Sequence, residues 1–402
     1  AAKEDYQMIL ILGGSSAGSE DFAKRVILDL GQVFVHGVTI MPGKPVVIGT
    51  VGQTPVFGIP GYPVSAIIAF EQFVRPLIHR MLGQPDDTGE TIQVEPTRKI
   101  ASKLGVEEFL RVKLGQVGDR IVATPLPRGA GSITSITEAD GIIRIPTHIE
   151  GINDREKVSA QLLRPLPSVL RTIVIVGSHD NTLDVLADQI KARHSRLTLS
   201  SSHVGSMGGL MAIKKGVCHL AGSHLLDPQD GSYNVSYIEK FLAQVDVKLV
   251  NLVLRDQGLI VGRGNPKSIK GIEDLARNDI SFINRQAGSG TRILLDYRLN
   301  QIGIDPADIN GYHHEEFTHM AVAVAVLSGT VDAGLGIHAA AAALDLDFIP
   351  VVTEQYDLII AAEHFDSENI QLLLEAVNSR QFKRRVDALG GYSTEKTGEI
   401  IL

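Results

Sequence analysis

The chain has 402 residues, and at about 150 residues per domain this length predicts two or three domains. Hydrophobic residues make up 44% and charged residues 21%, as in ordinary globular proteins, and a net charge of -8 argues against a general binder of nucleic acid or acidic membranes. The one cysteine, Cys218, excludes an internal disulfide or a thiolate cluster, and we expect it to be a buried core residue.

The N-terminal residues and the longest apolar stretch indicate where the protein is located. The first six residues carry mixed charge and lead straight into a strand-like run, which is unlike a signal peptide. The longest apolar stretch, residues 320–346, is interrupted by Asp332, His338 and Asp345, which argues against a membrane span. We therefore expect a cytoplasmic protein that binds neither nucleic acid nor membranes.

Residues 1–83 alternate strands and helices. The fully apolar run 8–12 predicts a buried parallel strand, and a glycine-rich loop after it leads into a helix over 19–30. Residues 56–59 predict a second strand, and a second helix is expected over 65–82.

Residues 84–167 change in character. Short strand-like runs are separated by turns with no room for a long helix, which predicts a small β-barrel or sandwich. The candidate strands are 92–94, 109–114, 121–124, 141–145 and 157–163. Residues 165–168, Pro-Leu-Pro-Ser, are expected to form a linker.

Residues 168–402 return to alternating strands and helices, which predicts a large α/β unit. The candidate strands are 172–176, 197–200, 250–254, 259–262, 280–283 and 358–361.

Three turn motifs of the first segment carry chemistry. The loop Gly13-Gly14-Ser15-Ser16-Ala17-Gly18 stands between a strand and a helix, where backbone N–H groups can approach a phosphate, although tight turning alone also explains its glycines. Met41-Pro42-Gly43-Lys44-Pro45 and Pro60-Gly61-Tyr62-Pro63-Val64-Ser65 follow it. This order of motifs resembles the molybdopterin molybdenumtransferase family, the insertases related to the C-terminal part of gephyrin. The β segment that follows resembles that family's C-terminal barrel.

The resemblance implies binding of adenylylated molybdopterin, insertion of molybdate and release of AMP in a Mg²⁺-dependent step. It also implies a homodimer. Asp21 and Lys44 would then be catalytic. The residues expected to line the cofactor site are Gly13, Gly14, Ser15, Ser16, Gly18, Pro60, Gly61, Pro63 and Ser65.

The sequence departs from the family at three points. Met41 and Tyr62 replace a usual lysine and a usual asparagine. The first strands of the three-layer α/β molybdopterin-binding domain, and two domains before it, have no counterpart. The chain is therefore expected to be a fragment of a longer protein or to contain an incomplete enzyme half.

Four strand-to-helix loops of the last segment are rich in small polar residues, and together they could hold a tetrahedral oxyanion with neutral donors. Each alone could simply cap a helix. The loops begin at Gly177, Ser200, Asn284 and Val331, and the fourth spans 331–336. They resemble a two-lobed type II periplasmic-binding-protein-like domain of the kind fused to molybdenum cofactor proteins, which implies molybdate or tungstate as ligand.

The residues expected to contact the oxyanion are Ser178, Asn181, Thr182, Ser206, Met207, Ser289, Gly290, Thr291 and Arg292. Arg292 could instead close the first turn of its helix. Residues 252–260 and 351–359 are the candidate hinges for closure of the two lobes.

Histidines cluster in two places without a metal-binding spacing. His314 and His319 are five residues apart, which is wrong for one helical face, so we expect a polar loop near the cleft and no metal site. His179, His203 and His224 could surround the cleft, but they match no zinc pattern.

The sequence thus predicts three parts: an N-terminally incomplete molybdopterin-binding domain (1–83), a small β-barrel (84–167) and a periplasmic-binding-protein-like domain (168–402). The leading hypothesis is a molybdenum insertase with a domain that binds molybdate or tungstate. The alternative is a non-enzymatic protein that senses an oxyanion or another small ligand on an insertase scaffold. A secreted solute-binding protein would lack its signal peptide and would leave 1–167 unexplained.

Overall fold

The computed structural model describes residues 6–13, 22–85 and 89–402. The chain forms two compact units, 1–170 and 171–402. No helix within the described residues is long and apolar enough to cross a bilayer.

The N-terminal unit begins with a small mixed sheet in the order β1-β5-β4-β2. Only the β1–β5 pair is parallel, and the buried side chains Ala23 and Ile27 of the first helix lie on this sheet. Its elements are β1 (Ile9–Leu12), α1 (Phe22–Leu30), β2 (Gln32–His36), β3 (Ile40–Met41), β4 (Val47–Val51), β5 (Thr54–Ile59), α2 (Pro63–Ala69), a π-helical turn (Phe70–Val74) and α3 (Arg75–Met81).

A closed β-barrel follows. Its strands run in the order β10-β12-β6-β9-β8, β10 pairs back with β8, and β3 joins β8 from outside. Its elements are β6 (Thr91–Pro96), β7 (Ile100–Ala101), β8 (Glu107–Val117), β9 (Arg120–Pro125), α4 (Thr134–Thr137), β10 (Gly141–Ile145), β11 (Gly151–Ile152), β12 (Val158–Leu162) and α5 (Leu166–Val169). The linker predicted at 165–168 was wrong, because α5 forms there and buries Val169 in the barrel core.

The C-terminal unit is a two-lobed α/β fold. Its elements are β13 (Thr172–Gly177), α6 (Asn181–Arg193), β14 (Thr198–His203), α7 (Gly205–Lys215), β15 (Leu220–Ser223), α8 (Val235–Phe241), β16 (Val247–Val261), β17 (Phe282–Arg285), α9 (Gly290–Ile302), β18 (Glu315–Glu316), α10 (His319–Leu327), β19 (Ala333–Ile337), α11 (His338–Ala343), β20 (Asp347–Ala361), α12 (Ala362–Phe365), α13 (Glu368–Asn378), α14 (Arg380–Asp387) and β21 (Tyr392–Ser393).

Two long antiparallel strands, β16 and β20, run through both lobes. The end of β20 pairs with β15 in the first lobe, and the end of β16 pairs with β19 in the second. Separate apolar cores fill the lobes, one around Leu186 and Phe382 and the other around Leu295 and Leu335. The candidate hinges 252–260 and 351–359 lie within β16 and β20.

Three predictions about this unit were wrong. Residues 250–254 and 259–262 are not two strands but parts of β16. The second polar loop begins later than expected, because β14 pairs with β13 through His203. The fourth loop, 331–336, is largely the buried strand β19.

Candidate functional site

Two of the predicted turns of the N-terminal unit meet at one edge of its sheet. The parallel register of β1 and β5 aligns Leu12 with Ile59, and the Gly13 N–H donates to the Ile59 carbonyl at 3.0 Å. A Cβ atom at Gly61 would lie 3.6 Å from the Gly13 Cα. The start of the glycine loop and the Pro60-Gly61 turn are therefore neighbours at the carboxyl ends of the strands, where α/β folds commonly bind ligands.

The Pro-Gly-Lys-Pro turn packs against the start of α2. Gly43 has φ +113°, and a Cβ there would lie 3.5 Å from the Ser65 carbonyl oxygen. The Lys44 carbonyl accepts the Val38 N–H at 2.9 Å, while the Lys44 residue is exposed. The turn is thus held by backbone bonds and leaves its ammonium group in solvent beside the helix start.

A fourth segment, residues 128–135, joins these turns and was missed in the sequence. The Val64 N–H donates to the Ala130 carbonyl at 3.1 Å, and a Cβ at Gly131 would lie 3.5 Å from the Tyr62 ring. The buried Arg111 holds the segment by donating to the Pro127 carbonyl at 2.7 Å. The Gly-Ala-Gly-Ser pattern at 129–132 was the available signal.

Several predicted residues lie outside the described residues: Gly14, Ser15, Ser16, Gly18 and Asp21. Pro60 and Ser65 are buried, and Pro63 is half-buried as the first residue of α2. Within the described part of the chain no group of three His, Cys, Asp or Glu residues could hold a metal ion. Asp21, the acidic residue expected near the metal, lies outside the described residues, so the Mg²⁺ requirement stays a prediction.

The C-terminal unit contains a buried polar network at the middle of β16 and β20. Arg255 donates to Glu354 and forms an ion pair with Asp180. The Gln257 Nε2 atom donates to Glu354 Oε2 at 2.6 Å and to the Thr291 hydroxyl at 3.2 Å. Asp180 caps α6 of the first lobe and Thr291 lies in the first turn of α9 of the second, so the network joins both lobes.

Both buried carboxylates of this network pair with Arg255. Burial alone would raise the pKa of Glu354, but Arg255 and His224 outweigh it and lower the pKa to about 2. Burial likewise opposes the ionised form of Asp180, and Arg255 with the two Thr182 bonds holds that pKa below its usual value. Both carboxylates are therefore ionised and fully engaged, as buried charges must be.

Arg285 at the end of β17 has unused hydrogen-bonding capacity. Its Nε donates to the Glu316 carbonyl at 3.2 Å and one terminal nitrogen to the Phe317 carbonyl at 3.0 Å. The other terminal nitrogen is buried and has no hydrogen-bond partner among the described residues, and the residue is only 8% exposed. Burial and the nearby Arg255 lower the pKa of Arg285 to about 10, so it stays charged at neutral pH. A buried cationic donor without a partner is a feature of an anion site.

His224 brings together three of the predicted oxyanion residues. Its Nε2 lies 2.8 Å from the Ser178 hydroxyl, and its backbone N–H donates to the Ser206 hydroxyl at 3.2 Å. A Cβ at Gly290 would lie 2.3 Å from the imidazole. Nδ1 of the ring is 3.3 Å from Glu354, which ties these residues to the buried network.

Other predicted residues serve the scaffold. The Thr182 hydroxyl donates to Asp180, and the Ser289 hydroxyl caps α9 by accepting the Arg292 N–H. The guanidinium of Arg292 stacks 3.9 Å from the Tyr312 ring and pairs with Asp296 at 3.2 Å. Asn181 and Met207 are half-buried in the first turns of α6 and α7. Of the two roles open for Arg292, the helix-closing one matches this geometry.

Family models match most of the chain. A probable molybdopterin binding domain covers residues 1–80, the MoeA C-terminal region (domain IV) covers 93–163, and a PBP superfamily domain covers 187–378. The uncharacterised protein YvgK of Bacillus subtilis is 38% identical over 232 residues, which is 58% of this chain and 74% of YvgK. The chain belongs to the YvgK family. This chain combines a PBP-like domain with the molybdopterin-binding and MoeA C-terminal domains.

Relatives of the N-terminal half match over shorter stretches. A molybdopterin molybdenumtransferase of Haemophilus influenzae is 40% identical over 84 residues, 21% of either chain. The solved structure of a molybdopterin biosynthesis MoeA protein from Pyrococcus horikoshii is 35% identical with a TM-score of 0.34, covering 40% of this chain and 38% of that one. The YvgK-family chain thus spans well under half of these MoeA-type proteins.

Proposed function

We propose that the chain acts in molybdenum cofactor biosynthesis. Residues 1–170 would bind molybdopterin, and the cleft of residues 171–402 would bind molybdate or tungstate. The observation that carries the second part is the buried terminal nitrogen of Arg285, which has no hydrogen-bond partner among the described residues. Both ligands are reactants of one step, the insertion of the metal oxyanion into the pterin, which gives a chemical reason for joining the two units.

The charges around the cleft favour an anionic ligand. Asp180 and Glu354 both pair with Arg255, whereas Arg285 has no carboxylate partner among the described residues. An oxyanion would supply that charge and would accept the free N–H bond. A cationic ligand would instead leave Arg285 buried beside a like charge, which is strongly unfavourable.

The proposal for the N-terminal unit is supported by its three convergent turns and by a relative named as a molybdopterin molybdenumtransferase. Catalytic roles for Asp21 and Lys44, the Mg²⁺ requirement, the homodimer and a cytoplasmic location remain predictions from the resemblance and the sequence.

The test is calorimetric titration of the full chain with molybdate, tungstate, sulfate and phosphate. We expect molybdate and tungstate to bind most tightly. Arg285→Gln should weaken binding by at least about tenfold, because a hydrogen bond to a charged group contributes roughly 1.5–3 kcal/mol.

Arg263→Gln is the matched control. It removes the same charge from the same lobe, but Arg263 is 65% exposed and pairs with Asp345 on the surface. Absence of oxyanion binding, or an equal loss in both variants, would refute the proposal. Binding by a chain that cannot convert adenylylated molybdopterin would favour the non-enzymatic sensor.

A further inference from the structure

His319 begins α10 beside the cleft and is not used by the scaffold. The helix is capped by Thr318, whose hydroxyl accepts the Ala321 N–H at 3.0 Å. The His319 Nδ1 atom is buried and has no hydrogen-bond partner among the described residues. A Cβ at Gly336 would lie 3.6 Å from this atom, so the ring packs against strand β19 of the second lobe.

A buried cation lies close to His319 along the chain. Arg285 on β17 donates to the carbonyl of Phe317, two residues before His319, at 3.0 Å. Burial, then the charges of Arg285 and Arg255, hold the pKa of His319 well below its ordinary value. Without a ligand the imidazole is therefore neutral at physiological pH.

Two carboxylates on the elements packed against α10 are engaged elsewhere. Glu315 on β18 accepts the Ala287 N–H at 3.2 Å and pairs with Arg292, and Asp256 on β16 accepts the Thr353 hydroxyl at 2.7 Å. Glu316, the other carboxylate of β18, is half-buried beside Arg285, which donates to its carbonyl. His338 on α11 packs against Phe348 at 4.8 Å.

We infer that His319 is a ligand-contact residue of the cleft and that it takes up a proton when the oxyanion binds. This inference rests on the proposed oxyanion site. A bound dianion beside Arg285 would offset the positive charge around His319, and the free Nδ1 could then donate as an imidazolium. The proton would come from solvent, so anion binding and proton binding would strengthen each other.

The experiment measures proton uptake by the full chain. Molybdate is titrated calorimetrically at one pH in two buffers that differ in ionisation enthalpy, and the difference in heat gives the number of protons taken up. We expect a clear uptake of up to one proton per anion. The dissociation constant should also rise by up to about tenfold per unit of pH between about pH 6 and pH 8.

His319→Asn keeps a neutral donor near the Nδ1 position and removes the titratable ring. We expect it to bind molybdate more weakly, with heats that no longer depend on the buffer and an affinity that no longer depends on pH. His314→Asn is the control, since His314 is exposed, and it should behave like the wild type.

The outcomes separate the two proposals. Failure of the wild type to bind any oxyanion would end both. Binding without proton uptake would refute the inference and leave the proposed function standing. Uptake that persists in a folded His319→Asn variant would assign the proton to another group and equally refute it. If that variant does not fold, the proton count of the wild type still decides whether binding is proton-coupled.

Discussion

Gly290, the first residue of α9, shows how tightly the cleft is packed around His224. A Cβ there would lie 2.3 Å from Cε1 and 2.5 Å from Nδ1 of the imidazole. The ring cannot move freely, because Ser178 holds its Nε2 and Tyr356 stacks on it with 6.0 Å between ring centroids. The glycine is therefore required by the neighbouring side chain.

We predict that Gly290→Ala lowers the free energy of unfolding by about 1–3 kcal/mol, which is typical of overpacking a closed site. Alanine favours a helix more than glycine does, so a loss of stability here must come from the displaced His224. Urea denaturation measures the effect. Gly262→Ala is the control, because its Cβ would meet Pro266 at an ordinary 3.7 Å, and it should change stability by less than about 0.5 kcal/mol. Equal effects in both variants would contradict the explanation.

The glycines show which structural roles of single residues can be predicted from the sequence and which cannot. The turn glycines Gly13, Gly43 and Gly61 were found because their neighbours, prolines and small polar residues, indicate turns. Gly334 and Gly336 were misread as a loop. Both lie in the strand β19, where neighbouring side chains leave no room for a Cβ. A Cβ at Gly334 would lie 2.4 Å from Val322, and a Cβ at Gly336 would lie 2.7 Å from Ile260. Such close packing depends on residues distant in sequence and leaves no local pattern.

At the scale of elements, the main difference from the sequence prediction is the length of β16. The polar run Arg255-Asp256-Gln257 interrupts two apolar stretches and suggests a break between two strands. The structure keeps the strand continuous because Arg255 and Gln257 pair with Glu354 of β20 and with groups in both lobes. Parallel strand ends and helix starts could be predicted locally, whereas these pairings join residues about 100 positions apart.

The ion pairs between β16 and β20 should make stability depend on pH. The pKa of Glu354 falls from 4.5 to about 2 on folding, so the folded state binds this proton less tightly than the unfolded state. Its contribution is complete above about pH 4.5 and is lost as the pH falls toward 2. A shift of this size corresponds to about 3 kcal/mol. Asp180, with its lowered pKa, adds a loss of the same sign.

We predict that Glu354→Gln lowers the free energy of unfolding at pH 7 by roughly 3–5 kcal/mol, because Arg255 loses one of its buried carboxylate partners. The variant should also lose less stability than the wild type between pH 4.5 and pH 2. Denaturant unfolding across that range tests both parts. An unchanged acid slope in the variant would show that Glu354 does not carry the effect.

At the scale of the whole molecule, each unit has its own apolar core. The barrel core includes Leu110 and Ile143, and the two lobes of the second unit are filled by their own clusters. The boundary at 170/171 falls between α5, whose Val169 belongs to the barrel core, and β13, whose Ile173 belongs to the first lobe. A chain built in this way can lose one unit while the other stays folded.

We therefore predict two thermal transitions, only one of which responds to the oxyanion. At one hundred times its dissociation constant, molybdate should stabilise the unit that binds it by about 2.7 kcal/mol. Scanning calorimetry would assign the responding transition through Arg285→Gln, which should remove the shift without moving the other transition. The N-terminal unit should unfold at the same temperature with and without molybdate. A common shift of both transitions would mean that the oxyanion binds to both units or that the units unfold together. Either result would contradict the prediction that only one transition responds to molybdate.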